Sequence, residues 1–322
     1  MIIKNIAKIN QRIFHTGEVP LFPRIQDPDK VSNIIRDVLS NESPCMIARY
    51  GATELMCIIN YLGVKKGKPN LLRYLLGMEE DWWWRESSLK QIEQWSGFFP
   101  ANKPNVEAFC ELMLQDSQYV DILVSWLKDE YKLKDYLHAK HFVQGLFLDP
   151  FWCKDPWTEV LKDKKVLVVH PFAESIQSQY NQHREHLFKN PQILPKFNLT
   201  TIKAVQSLGG VHNGFKSWFE ALDYMKAQID KCDYDICLIG CGAYGFPLAA
   251  HVKRMGKKAV HMGGSLQLLF GIIGKRWEDP NYGSKELNKK GCYPQLFNQY
   301  WIRPGSQEKP QNAKNVESAC YW

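Results

Sequence analysis

Much that would assign this 322-residue chain at a glance is missing from it. It contains no run of ~18 apolar residues, so no helix is expected to span a membrane. No C-x-x-C pair occurs among the nine cysteines, and their spacing matches no zinc site, so zinc is not expected. The odd, scattered count predicts reduced thiols. The start MIIKNIAKINQRIF has helix-spaced apolar residues but lacks the continuous apolar core of a secretory signal, so a cytoplasmic location is expected. Neither a G-x-S-x-G nucleophile elbow nor a G-x-x-x-x-G-K-[ST] phosphate loop occurs, which argues against a serine hydrolase and a P-loop kinase. Lys and Arg form no block and no nucleic-acid motif appears. The net charge of +7 therefore points to anionic small ligands, or at most a peripheral attraction to acidic membrane surfaces.

What is present is an ordinary globular composition, 45% hydrophobic and 23% charged, in a chain long enough for a large core. Eleven tryptophans and fourteen tyrosines exceed what packing requires; flat faces suit stacking on sugars or bases, although core packing accounts for most of them. Residues 1–40 read as a helix at 2–14, a proline-interrupted linker and a second helix at 30–39. A buried strand at 44–50 leads to a helix at 53–61, with Thr53 as its expected cap. Residues 71–137 read as mostly helical and aromatic-rich, including Trp82, Trp83 and Trp84; this triplet suits either a helix-packing cluster or a sugar platform. Strands follow at 141–148, 165–170 and 199–206, a helix at 216–231, and a further helix at 265–273. The expected organisation is an N-terminal segment 1–40, a domain 41–275 with a helical insertion at 71–137, and an irregular tail 276–322. Alternating strands and helices predict a Rossmann-like α/β fold, its sheet mostly parallel and covered by helices on both faces.

The most informative stretch is 235–264, DICLIGCGAYGFPLAAHVKRMGKKAVHMGG. An apolar run enters a glycine cluster, a helix-period segment follows, and a second apolar run closes a strand–helix–strand unit. Gly240, Gly242 and Gly245 fit G-x-G-x-x-G in the context that motif requires, after a strand and before a helix. Such a turn brings bare backbone and free N–H groups to an anion, so a phosphate or diphosphate is the first ligand to consider. NAD is not expected, because the second strand ends in His261, Met262, Gly263 and Gly264 instead of an acid for a ribose hydroxyl. An adenosyl cofactor also suits a glycine turn, so a Rossmann-fold methyltransferase stays open.

Ligands of parallel sheets bind beyond the carboxyl ends of the strands. That rule collects Arg49, Tyr50 and Gly51 with Glu54, His170 with Glu174, Gln206 with Ser207, the Gly240–Gly245 turn with Tyr244, and His261 with Met262, Gly263 and Gly264. Arg49 suits a phosphate or a buried carboxylate. Glu54 suits a metal, a sugar hydroxyl or the helix dipole, and His170 suits a base or a satisfied core position.

The segment IARYGATEL resembles the N-terminal motif of the GT-D glycosyltransferases, in which a strand runs into R-[FY]-G-D-G-E. Arg49, Tyr50, Gly51 and Glu54 match it; Ala52 replaces the Asp and Thr53 the glycine. The late glycine turn, crossover helix and strand ending in an apolar–Gly pair resemble the same family. The resemblance implies a hexosyltransferase acting on a nucleotide-diphosphate sugar, in bacterial surface-polysaccharide or glycoprotein glycan assembly, with a glycan, lipid-linked or protein acceptor. It implies donor binding by Arg49, Tyr50, Gly51, Gly240, Gly242, Tyr244, Gly245, His261, Gly263 and Gly264. Glu54, His170 and Glu174 become the catalytic candidates. It also implies Mn2+ or Mg2+; with Glu54 alone and its partner absent at Ala52, the site would bind metal weakly, recruit another acid such as Glu174, or do without metal, Arg49, helix N-termini and a histidine then neutralising the diphosphate. The missing acid leaves a non-catalytic sugar-nucleotide-binding protein as the alternative.

Overall fold

A computed structural model describes residues 19–208, 213–310, 312–313 and 319–322; the helix expected at 2–14 lies outside them. Seven strands form one sheet: β1 (Cys45–Ala48), β2 (Ile122–Ser125), β3 (His141–Gln144), β4 (Lys165–His170), β5 (Asn198–Lys203), β6 (Ile236–Ile239) and β7 (Lys258–His261). Their order is β3-β2-β1-β7-β6-β4-β5, and every pair is parallel, so the expected α/β fold class holds.

Strand side chains alternate between two cores. Met46, Ala48, Leu167, Val169, Cys237 and Ile239 face one, under α2 (Ala52–Lys66), α4 (Glu86–Ser96), α5 (Lys103–Ser117), α7 (Trp218–Ile229) and α8 (Gly245–Arg254). Cys45, Ile47, Val166, Val168, Ile236 and Leu238 face the other, under α1 (Pro28–Ser40), α6 (Ala173–His183), α9 (Leu266–Leu269) and the C-terminal segment. The fully buried strands explain why they read as apolar runs without alternation. In α1 the local logic is plain: Asp27 accepts from the Lys30 N–H, Pro28 opens the helix, and Val31, Ile35 and Leu39 form its buried stripe.

Two expectations change, and an open choice is resolved. Residues 71–137 hold α3 (Leu71–Leu75), α4 and α5 but also β2, whose four residues ILVS are too short for periodicity to separate from a helix turn. The N-cap of α2 is Gly51, with no side-chain cap, so Thr53 does not serve as one. Of the two readings of the tryptophan triplet, packing is the one observed: Trp82 and Trp83 meet edge-on at 4.6 Å, and Trp84 Nε1 donates to Glu107.

The tail is irregular but docked. Glu308 accepts from the Glu174 and Ser175 backbone N–H groups at 2.9 and 3.2 Å, supplying from a distance the cap that α6 lacks locally. Among the described residues no helix is long and apolar enough to cross a membrane. The connection from β4 runs outward to β5, whereas that from β6 runs inward to β7. A crevice therefore opens between the ends of β4 and β6, where parallel sheets accept ligands.

Candidate functional site

A cavity of about 190 Å3 fills that crevice. The loops after β1, β4, β5, β6 and β7 form its floor; Trp95, Trp126 and the tail residues Tyr282, Tyr321 and Trp322 form its walls. Most of the residues collected by the strand-end rule come together here.

Arg49 leaves the end of β1 with its guanidinium 4.6 Å above the Trp126 ring. The indole is fixed in turn, its Nε1 donating to the Tyr50 carbonyl at 2.9 Å. No carboxylate among the described residues pairs with Arg49. Two acids sense its charge from behind. Burial pushes the Glu130 and Asp149 carboxyls above their ordinary range, and Arg49 lowers both against that push. Ser125 donates to Glu130 and Tyr293 to Asp149, each at 2.6 Å, so both acids are engaged. An arginine flat on an aromatic ring, facing a cavity without an ion pair, is poised for an external anion.

Glu54 is the one carboxylate among the described residues that line the cavity. It is buried and folds back over Gly51, where a Cβ would stand 1.9 Å from Oε2. Glycine at 51 is what admits this carboxylate to the positive end of α2. Gly240 has a similar logic: a Cβ there would meet the Gly263 carbonyl at 2.5 Å and His170 Cδ2 at 2.8 Å. Gly242 lines the cavity with φ +57°, and Gly263 and Gly264 line it from the end of β7. Gly245 lies outside the lining, under the His261 ring.

Both histidines are buried, and desolvation holds each imidazole down to about 3, the charge of Arg49 adding to the effect at His261. The Arg49 backbone opposes this slightly at His261, whose Nδ1 has no partner in full hydrogen-bond geometry among the described residues. His170 Nδ1 accepts the Phe172 N–H at 3.0 Å, so its neutral ring carries the proton on Nε2. Tyr244 also lines the cavity, stacked on Trp218 at 5.0 Å. Ser207 Oγ donates to the Gly97 carbonyl at 2.6 Å and accepts from the Tyr244 hydroxyl at 2.8 Å.

Besides Gly245, two expected residues lie elsewhere. Tyr50 is fully buried in the opposite direction, its ring stacked on Phe246 at 4.7 Å and its hydroxyl bonded to Ser117; alternation along an extended chain sends it away from Arg49. Glu174 is exposed and pairs with Lys203 at 2.9 Å, outside the cavity lining. Sequence reading missed Trp126 because it missed β2, which delivers it. It missed Arg276, stacked 4.8 Å over Tyr321, because the irregular tail has no periodic signal.

Among the described residues no three His, Cys, Asp or Glu side chains group as metal ligands, and Ala52 contributes a methyl where the motif has an acid.

No protein-family model matches this chain, and no curated protein matches it. Among solved structures it is similar to one described as a selenomethionine-substituted structure of domain of unknown function 1792, at 11% identity and a TM-score of 0.34. That alignment covers 86% of this chain and 96% of the other, and a likeness so distant carries no functional argument.

Proposed function

We propose that this chain is a glycosyltransferase that holds a nucleotide-diphosphate sugar in the crevice and transfers the sugar to a hydroxyl acceptor. Arg49 carries this reading. It is a cation stacked on Trp126 at a strand end, facing a cavity that also holds bare glycine backbone, one carboxylate and aromatic walls. The glycine backbone and Arg49 suit a diphosphate, and Trp95, Trp126 and Tyr282 suit flat rings. In the reaction the acceptor oxygen bonds to the anomeric carbon. The bond from that carbon to the diphosphate breaks, and the electron pair leaves with the phosphate oxygen. The acceptor proton needs a base, and Glu54 takes that role in this reading, supported by its being the one carboxylate among the described lining residues. Glu174 is too far out to serve, and the Nδ1 of His170 is already occupied. The setting in bacterial surface-glycan or glycoprotein assembly comes from the R-Y-G-x-x-E resemblance alone.

Ala52 supports a second reading, a sugar-nucleotide-binding protein without turnover. A screen of UDP, GDP and dTDP sugars for binding and for nucleotide release separates the two. Binding with release supports the transferase, and binding without release to any acceptor or to water supports the binding protein. A melting shift with an adenosyl cofactor alone would overturn both; full occupancy at ~100 times Kd adds about 2.7 kcal/mol.

A further inference from the structure

The R-Y-G-x-x-E resemblance implies a divalent cation held between carboxylates and the diphosphate, yet the acids here are not arranged for one. Glu54 is turned back onto Gly51 at the start of α2, Ala52 is apolar, and no three candidate ligands gather among the described residues. Besides Arg276 of the tail, two groups at strand ends stand where negative charge would arrive. Arg49 is one. The other is His170, whose Nδ1 receives the Phe172 N–H at 3.0 Å and whose Cδ2 occupies the space a side chain at Gly240 would need. That leaves Nε2–H as its one polar hydrogen, on a ring that lines the cavity.

Resting on the nucleotide-sugar reading above, we propose that the cavity takes a diphosphate without a divalent cation. The guanidinium of Arg49 and the Nε2–H of His170 meet the charge a metal would otherwise neutralise. His170 is a donor here and not a base. It keeps its proton throughout, and the electron pair of the broken carbon–oxygen bond stays on a phosphate oxygen that accepts these hydrogen bonds. In the ligand-free cavity burial holds the imidazole down to about 3, so the ring meets the ligand as a neutral donor. The groups around it do not change that. Phe172 and Gly240 are uncharged, and the buried Cys241 thiol is pushed above its ordinary range. Lys203, opposite His170 in the β4–β5 register, pairs with Glu174.

The test is calorimetric titration of UDP, GDP and dTDP, and of their sugars, into the full chain, once in EDTA and once in Mn2+. At least one ligand is expected to bind with a Kd that agrees within about threefold between the two conditions. Binding that is tenfold or more weaker in EDTA would overturn the metal-free site while leaving the nucleotide-sugar reading intact. Binding of none under either condition would overturn that reading and this one with it. His170→Gln, which keeps an N–H near the Nε2 position, is expected to bind within about threefold of the parent, and His170→Phe about tenfold more weakly, the worth of a hydrogen bond to a charged group. Equal affinity in His170→Phe would remove His170 from the site. Nitrogen-15 NMR of the unmutated protein is expected to show the Nε2–H tautomer, with its Nε2 resonance shifting on ligand addition. An Nδ1–H tautomer, or no shift at saturation, would contradict the donor role without relying on any variant that folds poorly.

Discussion

Gly51 and Glu54 act as one unit: the Glu54 carboxylate occupies the space a side chain at 51 would need, 1.9 Å from an ideal Cβ. This explains why the strand–turn–helix at Arg49 contains a glycine at a position whose φ, −77°, any residue could adopt. The space is the constraint, not the backbone angle. Gly51→Ala is expected to fold with little loss of stability, because the atoms in the way are the far end of a flexible side chain, and to weaken nucleotide-sugar binding by displacing Glu54. Thermal melts and titration of the same variant check both parts, and unchanged affinity would mean that the position of Glu54 does not matter to the ligand.

Glu54 and Glu174 should separate cleanly. Glu54→Gln keeps the shape and removes the charge, so turnover is expected to fall tenfold or more, about 1.4 kcal/mol, with the melting temperature held. Glu174→Gln, on an exposed carboxylate paired with Lys203, is expected to leave turnover within about twofold. Steady-state kinetics on the two purified variants decides it, and the reverse ranking would move the reacting centre out of the cavity.

Tyr50 belongs to the core although it sits beside Arg49. Ser117 Oγ donates to the Met113 carbonyl and so accepts from the Tyr50 hydroxyl at 2.5 Å. Tyr50→Phe is expected to cost about 1 kcal/mol of stability and leave nucleotide affinity unchanged. Denaturant unfolding together with calorimetric titration checks the split; lost affinity in a stable variant would return Tyr50 to the site.

The two buried histidines give stability a definite pH dependence. Both are held down to about 3 in the fold, whereas the unfolded chain takes up their protons near the ordinary value of about 6.5. Between those values the unfolded state binds more protons, so their contribution falls as pH drops, by about 1.4 kcal/mol per unit for each histidine. Asp116, Glu130 and Asp149 are raised by burial and work in the opposite sense, losing their contribution as pH rises. The histidine part is isolated by difference. His170→Gln should lose less stability than the parent between about pH 7 and about pH 5, and parallel urea-unfolding curves would contradict this.

The sheet was legible because a fully buried parallel strand leaves a simple mark, a short apolar run entered from a turn. KVLVVH and ICLI show it, and each delivers one wall of the crevice. ILVS in β2 carries the same mark, but it stands between α5 and a long 3-10 segment where nothing in its four residues distinguishes strand from helix. Losing β2 also lost Trp126. The strand-end rule found Arg49, Glu54, His170, His261 and the glycine turn because parallel topology fixes where their loops go. The rule does not see which way a side chain points one residue beyond a strand, or inside the first turn of a helix, and so it does not foresee Tyr50 turning into the core or Glu174 reaching Lys203. The tail residues Arg276, Tyr321 and Trp322 were out of reach. Their position depends on docking contacts such as Tyr321 against Gly264, and no local pattern encodes those.

The most direct measurement is release of nucleoside diphosphate from UDP, GDP and dTDP sugars by the parent protein and by Arg49→Met, which keeps the apolar stem over Trp126 and removes the charge. One nucleotide sugar is expected to be turned over by the parent, and Arg49→Met, with its fold intact, is expected to lose about a hundredfold in kcat/KM, about 2.7 kcal/mol of transition-state stabilisation. No release from any of these sugars, or turnover by Arg49→Met equal to the parent, would contradict a glycosyltransferase built around Arg49.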